Sequence, residues 1–407
     1  MTGVDPGRVL AAVLREHGSR LAASLVTLLG DFAAAEDLVS DAVEKALRTW
    51  PVDGVPDDPQ AWLFTVARRR GLDILRREAN YRDKLRELRW PVWAEADDRL
   101  RLMFICCHPA LPREAQVALT LRMVCGLDTR QLAKAFLVPE STVAQRITRA
   151  KRKISQAGIP FRTPSDAELA ERLDEVLAVI YLLFNEGYLA TESAGDPGLA
   201  ADAEWLAALL ERLLPGEPEV MGLLALIRLH RAREAARFDD AGRIVLLRDQ
   251  DRSRWNHAAI ARAIDLLVAA GRLRRPGPYQ VQAAIVACHA EAPVWTATDW
   301  PQIVVLYDLL SAMTPSPVVR LQQAIARARV EGAEAALATV DGLAGQLTGY
   351  HLMHATRAQL LRELGREDEA AAADRQALAL TRNPAEQALL EHRLHRGSAP
   401  RMDGGPW

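Results

Sequence analysis

Residues 113–154 carry the spacing best suited to chemistry: a run that can grip a nucleic-acid duplex. Gly126 ends one helix, and Asp128 is placed to cap the next, near 129–135. Phe136-Leu-Val makes a short turn, and Pro139 suits the first turn of a further helix. This is the pattern of a helix-turn-helix. In the last helix Val143, Ile147, Ala150 and Ile154 share a core-facing side. Ser141, Gln145, Thr148 and Arg152 point the other way, flanked by Thr142, Arg146 and Arg149. Early residues of a recognition helix reach base edges, and later basic ones hold phosphates. Ser141, Thr142 and Gln145 are therefore expected to read bases, with Arg146, Arg149, Lys151, Arg152 and Lys153 on the backbone. The competing reading, a helical hairpin with a charged surface, does not explain why cap, turn and core pattern all agree.

A second candidate face lies in Ala61-Trp-Leu-Phe-Thr-Val-Ala-Arg-Arg-Arg-Gly-Leu-Asp-Ile-Leu-Arg-Arg-Glu78. On a helix Leu63, Phe64, Ala67, Gly71, Ile74 and Leu75 share one side. Arg69, Arg70, Arg76 and Arg77 share the other, with Trp62 and Val66 among them. An aromatic among cations is the pairing that holds a single strand by stacking and charge. The upstream loop, Pro51 to Pro59, is placed to shape a pocket for an extruded base. The alternative is that Trp62 tucks between helices and the arginines are only solvated.

These faces need helices to carry them, and the rest of the chain agrees. It has 407 residues, 49% hydrophobic and only 5% aromatic, dominated by Ala, Leu and Arg. That length predicts more than one domain, and that composition predicts an all-α fold. The net charge of −2 conceals a basic block: residues 61–155 hold 20 Lys+Arg against 10 Asp+Glu, while residues 156–407 are acidic. A basic block points to a polyanion, and an acidic tail on the same chain can shield it. Breaks fall at Pro51–Pro59, Trp90-Pro91, Ala157–Pro164, Gly195–Gly198, Pro215–Pro218, Arg275–Pro278 and Thr314–Pro317. The expected domains are 7–90, 95–155 and a helical tail, 166–407. Near the end Gly332 and Gly365 stand 33 residues apart, each followed by small residues, including Ala335-Ala336 and Ala370. This hints at repeated helix hairpins of tetratricopeptide type.

Other chemistries find little support. Cys106-Cys107-His108 sits in an apolar run and reads as core rather than as a metal site. His351/His354 and His392/His395 are spaced to share a metal but lack a third ligand. No Gly-rich phosphate loop, HExxH or nucleophile elbow appears, so no catalytic residue, metal or cofactor is expected. No apolar run approaches about 18 residues, and the start lacks the features of a signal peptide, so a cytoplasmic protein without membrane contact is expected.

Three stretches in order resemble a known family. Asp31-Phe-Ala-Ala-Ala-Glu-Asp-Leu-Val-Ser-Asp-Ala-Val-Glu-Lys-Ala-Leu-Arg-Thr-Trp50 resembles the polymerase-binding helix of sigma region 2. The 61–77 helix resembles the −10 segment of extracytoplasmic-function (ECF) sigma factors, and 111–154 resembles region 4, which reads the −35 element. Arg69 and Gln131 depart from the pattern: many members carry Asn and Glu there. The tail resembles a subgroup with a long helical extension ending in tetratricopeptide-like repeats. Its matching stretches are Tyr181–Tyr188, Leu246–Trp255 and Gly277–Ala284.

The resemblance implies a sigma factor that directs promoter-specific transcription initiation. It implies that Glu36, Asp37, Leu38, Asp41 and Glu44 meet the β′ clamp of core RNA polymerase, and that region 4 docks near the β flap. It implies Ser141, Thr142, Gln145, Arg146, Arg149 and Arg152 on the −35 element, and Trp62, Arg70, Arg76 and Arg77 on the −10 strand, to which the helix face alone adds Arg69. It implies control through the tail, with an unidentified protein or ligand as the tail's partner. Asn185, Glu186, Asp249, Asp251 and Arg252 are open to two roles, binding that ligand or organising interhelical hydrogen bonds. A different class remains open too: a DNA-binding adaptor on a helical scaffold, which would bind duplex without polymerase.

Overall fold

The structure, a computed structural model, describes residues 5–77, 95–136, 138–157, 159, 166–189 and 198–397. Among these the regular elements are helices, with one isolated antiparallel bridge between Phe238 and Ile244. No helix among them is long and apolar enough to cross a membrane. The chain divides into two compact units, Met1–Gly187 with Pro197–Leu213, and Tyr188–Asp196 with Leu214–Trp407.

The first unit opens with three mutually packed helices, α1 (Pro6–Leu29), α2 (Phe32–Asp53) and α3 (Pro59–Arg77). Each starts on an aspartate. Asp5 accepts from the Gly7 amide at 3.0 Å, Asp31 from Ala33 at 2.7 Å, and Asp58 from Ala61 at 2.8 Å. Gly30, at φ 67°, makes the sharp turn between α1 and α2. Packing is close at Gly71 of α3, where a Cβ would lie 3.0 Å from Leu28 and 3.1 Å from Leu38. The sequence break at Pro51 does not end α2, which runs on to Asp53. A proline in the last turn removes only one amide near the end of the hydrogen-bond ladder, which the helix tolerates better there than in its middle.

Four more helices follow: α4 (Glu95–Cys106), α5 (Arg113–Met123), α6 (Thr129–Ala135) and α7 (Glu140–Gln156). α5 is almost wholly buried and packs on α4, α6 and α7, and α1 packs on α4. Cys106 and Cys107 are buried here, and burial pushes the Cys107 thiol up to about 12, so both behave as small apolar core residues. The expected linker at 157–164 falls between α7 and α8 (Asp166–Leu189) and is mostly outside the described residues. α8 as far as Gly187, and α9 (Leu199–Leu213), belong to the first unit. Arg113 pairs with Glu175 of α8 at 2.7 Å, Arg172 donates to the Phe104 carbonyl, and α9 packs on α4. Gly187 lets α9 abut α8, since a Cβ there would come within 2.4 Å of the Ala200 amide nitrogen.

The second unit begins with α10 (Pro218–Arg231), packed on α11 (His257–Arg272) and α12 (Pro278–Glu291). From α12 each helix packs on the next: α13 (Trp300–Met313), α14 (Pro317–Glu331), α15 (Ala333–Leu343), α16 (His351–Glu363), α17 (Glu367–Leu380) and α18 (Pro384–Gly397). This neighbour-on-neighbour order is that of a helical repeat stack. Gly332 and Gly365, at φ 96° and 73°, turn α14 into α15 and α16 into α17, so two hairpins recur in one register. Ala336, Ala370 and Ala377 are buried where those helices meet.

One long-range cap fixes the α10/α12 contact. The Glu219 carboxylate accepts from the amides of Tyr279 (2.9 Å) and Gln280 (3.1 Å) and from the Gln280 side chain (3.0 Å). Gly277 makes room, since a Cβ there would lie 2.2 Å from Glu219. Glu219→Ala is expected to destabilise the protein by about 1–3 kcal/mol, because it strands buried donors at the start of α12. Urea unfolding followed by circular dichroism checks it, the expected result being a lower midpoint with little change in slope.

Candidate nucleic-acid interface

α7 is amphipathic in the way its sequence requires. Val143, Ile147, Ala150 and Ile154 are buried, while Ser141, Thr142, Gln145, Thr148, Arg149, Arg152 and Lys153 are exposed. α6 is set at its start by a reciprocal cap, in which the Gln131 amide donates to Asp128 at 2.7 Å and the Asp128 amide donates to the Gln131 side chain at 2.8 Å. Gln131 thus has a structural role that its sequence position alone left open, and the Asp-x-x-Gln spacing is the signal for it. Arg146 differs from its neighbours. Only 23% exposed, it is paired at 2.6 Å with Glu114 of α5, across a groove of 590 Å³ between α5 and α7. Glu114 was not among the expected site residues.

Lys151 requires a correction. It does not project with the exposed Arg149 and Arg152: it is 17% exposed and its Nζ lies 2.5 Å from a Glu36 oxygen on α2. Arg122 of α5 stands 3.8 Å from the other Glu36 oxygen. The carboxylate expected to face polymerase is therefore held, in this conformation, by two cations of the helix-turn-helix.

On α3 the apolar side is buried at Leu63, Ala67 and Gly71, and Arg69 and Arg70 are exposed. Trp62 is half-buried, edge-on to Trp50 of α2 with ring centres 5.5 Å apart, and Lys45 lies 6.0 Å from its ring. A polar cleft of 500 Å³ between α2 and α3 brings Arg69 and Arg70 beside Asp41 and Glu44. Arg70 pairs with Asp41 at 2.5 Å. Two residue sets expected to serve different partners thus share one cleft. The side chains of Arg76 and Arg77 lie outside the described residues.

Along α2, Asp37 and Glu44 are exposed, but Leu38 is only 1% exposed and fills the three-helix core. Leu38 is therefore corrected from a surface contact to a packing residue: it meets α3 at Gly71. The apolar side chain that does stand out on this acidic stripe is Leu47, 56% exposed and three residues past Glu44. Its helical register with Glu44 and Asp37 was the signal available in the sequence.

Several of the tail's polar residues make hydrogen bonds within the protein. Asn185 hydrogen-bonds Tyr181 one turn earlier, which opposes the upward shift that burial gives the tyrosine. Asp251 accepts from the Ser253 amide (2.9 Å) and hydroxyl (2.7 Å), which holds its carboxyl below the usual range. Arg252 Nη1 donates to the carbonyls of His289 (2.5 Å) and Ala292 (2.6 Å), closing the end of α12. Glu186 is exposed, and Asp249 meets Arg248 at 3.3 Å. His351 pairs with Glu386 at 2.9 Å, and His395 Nδ1 lies 2.6 Å from the Glu391 carbonyl.

Comparison with known proteins bears on both halves. The model for sigma-70 region 2 matches residues 13–81, and that for sigma-70 region 4 matches residues 101–154. A family of unknown function, DUF6596, matches residues 172–271. An uncharacterised protein of Rhizobium meliloti (strain 1021) is 46% identical over 385 residues, covering 90% of each chain. The probable ECF RNA polymerase sigma factor SigI of Mycobacterium tuberculosis is 26% identical over 219 residues, which is 50% of this chain and 72% of that one. No solved structure matches.

Proposed function

We propose, from the premise that the chain belongs to the sigma-70 family and is an RNA polymerase sigma factor, that it is of the ECF class with a regulatory helical tail. The functional parts are 7–90, which engages polymerase and the −10 strand, 95–155, which reads the −35 element, and the tail, 166–407, with its tetratricopeptide-like hairpins. Such a factor works in the cytoplasm and makes or breaks no bond itself. Asp37, Asp41, Glu44 and the exposed Leu47 of α2 face the β′ clamp, and α4–α7 dock near the β flap. Ser141, Thr142 and Gln145 read bases in the major groove, while Arg149 and Arg152 hold phosphates. Arg69 and Arg70 take the separated −10 strand, beside Trp62. Stabilising unstacked bases there offsets an unpairing cost of a few kcal/mol.

The observation that carries this proposal is the exposed Ser141–Thr142–Gln145 face of α7. It is backed by a fully buried apolar side and flanked by the exposed Arg149 and Arg152. Glu36 adds a step: its pairing with Lys151 and Arg122 must open before it can serve polymerase. The test is run-off transcription with core polymerase and the full chain on genomic promoter fragments. Specific initiation that is lost with Trp62→Ala and with Arg149→Ala is expected. Duplex binding without initiation would instead favour a helix-turn-helix adaptor carrying a helical scaffold.

A further inference from the structure

In the second unit several arginines pair with carboxylates, as in Arg327–Asp308 (2.9 Å), Arg329–Glu363 (2.6 Å) and Arg357–Asp341 (2.7 Å). One buried cluster has no such pairing. It forms where the ends of α10 and α12 meet the 232–255 segment. The guanidinium carbons of Arg252 and Arg233 lie 4.5 Å and 5.8 Å from the ring centre of the same tryptophan, Trp255. Arg233 is only 6% exposed and Trp255 3%. Arg233 Nη2 is 2.9 Å from His230 Nδ1. The His289 ring lies parallel to Trp295, 5.9 Å between centres, and edge-on to Trp300 at 5.1 Å.

Neither guanidinium is ion-paired with a carboxylate among the described residues. The acid next in sequence, Glu234, is held by Arg231 at 3.1 Å. The two imidazoles add no negative charge: burial, with the cations nearby, lowers His289 to about 4 and holds His230 well below its ordinary value. Four donors here have no acceptor among the described residues, namely Arg233 Nε, Arg252 Nη2, Trp255 Nε1 and Thr298 Oγ1, and His289 Nδ1 is likewise unbonded among them. A buried cation with no counter-charge is destabilising, and buried donors left unpaired call for a bound group to satisfy them. Planar guanidinium forks match oxyanions. Arg252, His289 and Trp295 are half-buried, so the cluster reaches solvent at these side chains.

We infer that this cluster binds a small molecule through a carboxylate or phosphate group, held by Arg233 and Arg252 with the Trp255 indole N–H. Arg233 and Trp255 lie too deep for a protein surface to reach, which favours a small ligand over a docked protein. The inference goes beyond the sigma-factor reading and does not depend on it, because binding is measured without polymerase or DNA.

The test titrates the full chain with sodium phosphate and, separately, sodium acetate, against sodium chloride at matched ionic strength. Tm and tryptophan emission are read together. A saturable rise in Tm with a matching emission change is expected for at least one anion, and whichever anion produces it identifies the group bound. Arg233→Gln is expected to weaken that anion roughly tenfold to a hundredfold, the range for a lost charged hydrogen bond. Should that variant not fold, Trp255→Phe keeps an aromatic side chain but removes the N–H, and is expected to weaken binding as well. No saturable response in the parent chain, or a response of unchanged affinity in the variants, overturns the proposal.

Discussion

Arg362→Met is expected to lower the stability of the protein by about 3–5 kcal/mol, the range for breaking a buried ion pair from one side. Asp374 on α17 is 0% exposed and pairs with Arg362 of α16 inside the core built by Met353, Ala370 and Ala373. Removing the guanidinium leaves a carboxylate in apolar surroundings, with its second oxygen already unbonded. Arg393 of α18 is close enough for Asp374 to act on its guanidinium, so part of the loss is offset and the lower end of the range is expected. The double variant Arg362→Met with Asp374→Leu removes both charges and is expected to recover most of the stability. Urea midpoints of the three proteins decide it. A double variant no better than the single one would assign the loss to packing, with the charge contributing little.

The same pair shows what sequence does and does not reveal. The hairpin turns at Gly332 and Gly365 were legible, because a recurring glycine followed by small residues is a local signal. So was the helix-turn-helix: Asp128, Pro139 and the Val143–Ile154 register are all read within a few residues of one another. The contacts that organise the rest are distant. Glu219 caps a helix 60 residues on, and Lys151 reaches Glu36 across 115 positions. No periodicity encodes such a pairing, and an acidic stripe looks the same whether its partner is polymerase or the next domain. Leu38 was misplaced for a related reason. It lies among the acids in sequence, but α2 turns it toward Gly71, and only packing reveals that. Arg233 was overlooked because nothing local marks it, whereas three separate segments converge on it in the fold.

Two substitutions on α7 are expected to fail in different ways, and the difference is diagnostic. Gln145 is exposed on the face proposed to meet base edges. Gln145→Ala should cost about 1–3 kcal/mol at one base pair of the −35 element and leave binding to other sequences nearly unchanged. Arg149 is exposed one turn further on and grips the backbone in this reading. Arg149→Ala should weaken binding to every duplex and reduce the slope of log affinity against log salt by about one. Lys151 supplies the control. Because Glu36 holds it, it neutralises a carboxylate rather than a phosphate, so Lys151→Ala should leave the salt slope of the free protein unchanged. It should also release Glu36 and tighten binding to core polymerase, an effect that neither of the other two variants has. Anisotropy of labelled duplex at several salt concentrations, followed by a polymerase titration, measures all three. A salt slope that falls by one in Lys151→Ala would mean that the lysine faces DNA, and that the Glu36 pairing is not kept in the free protein.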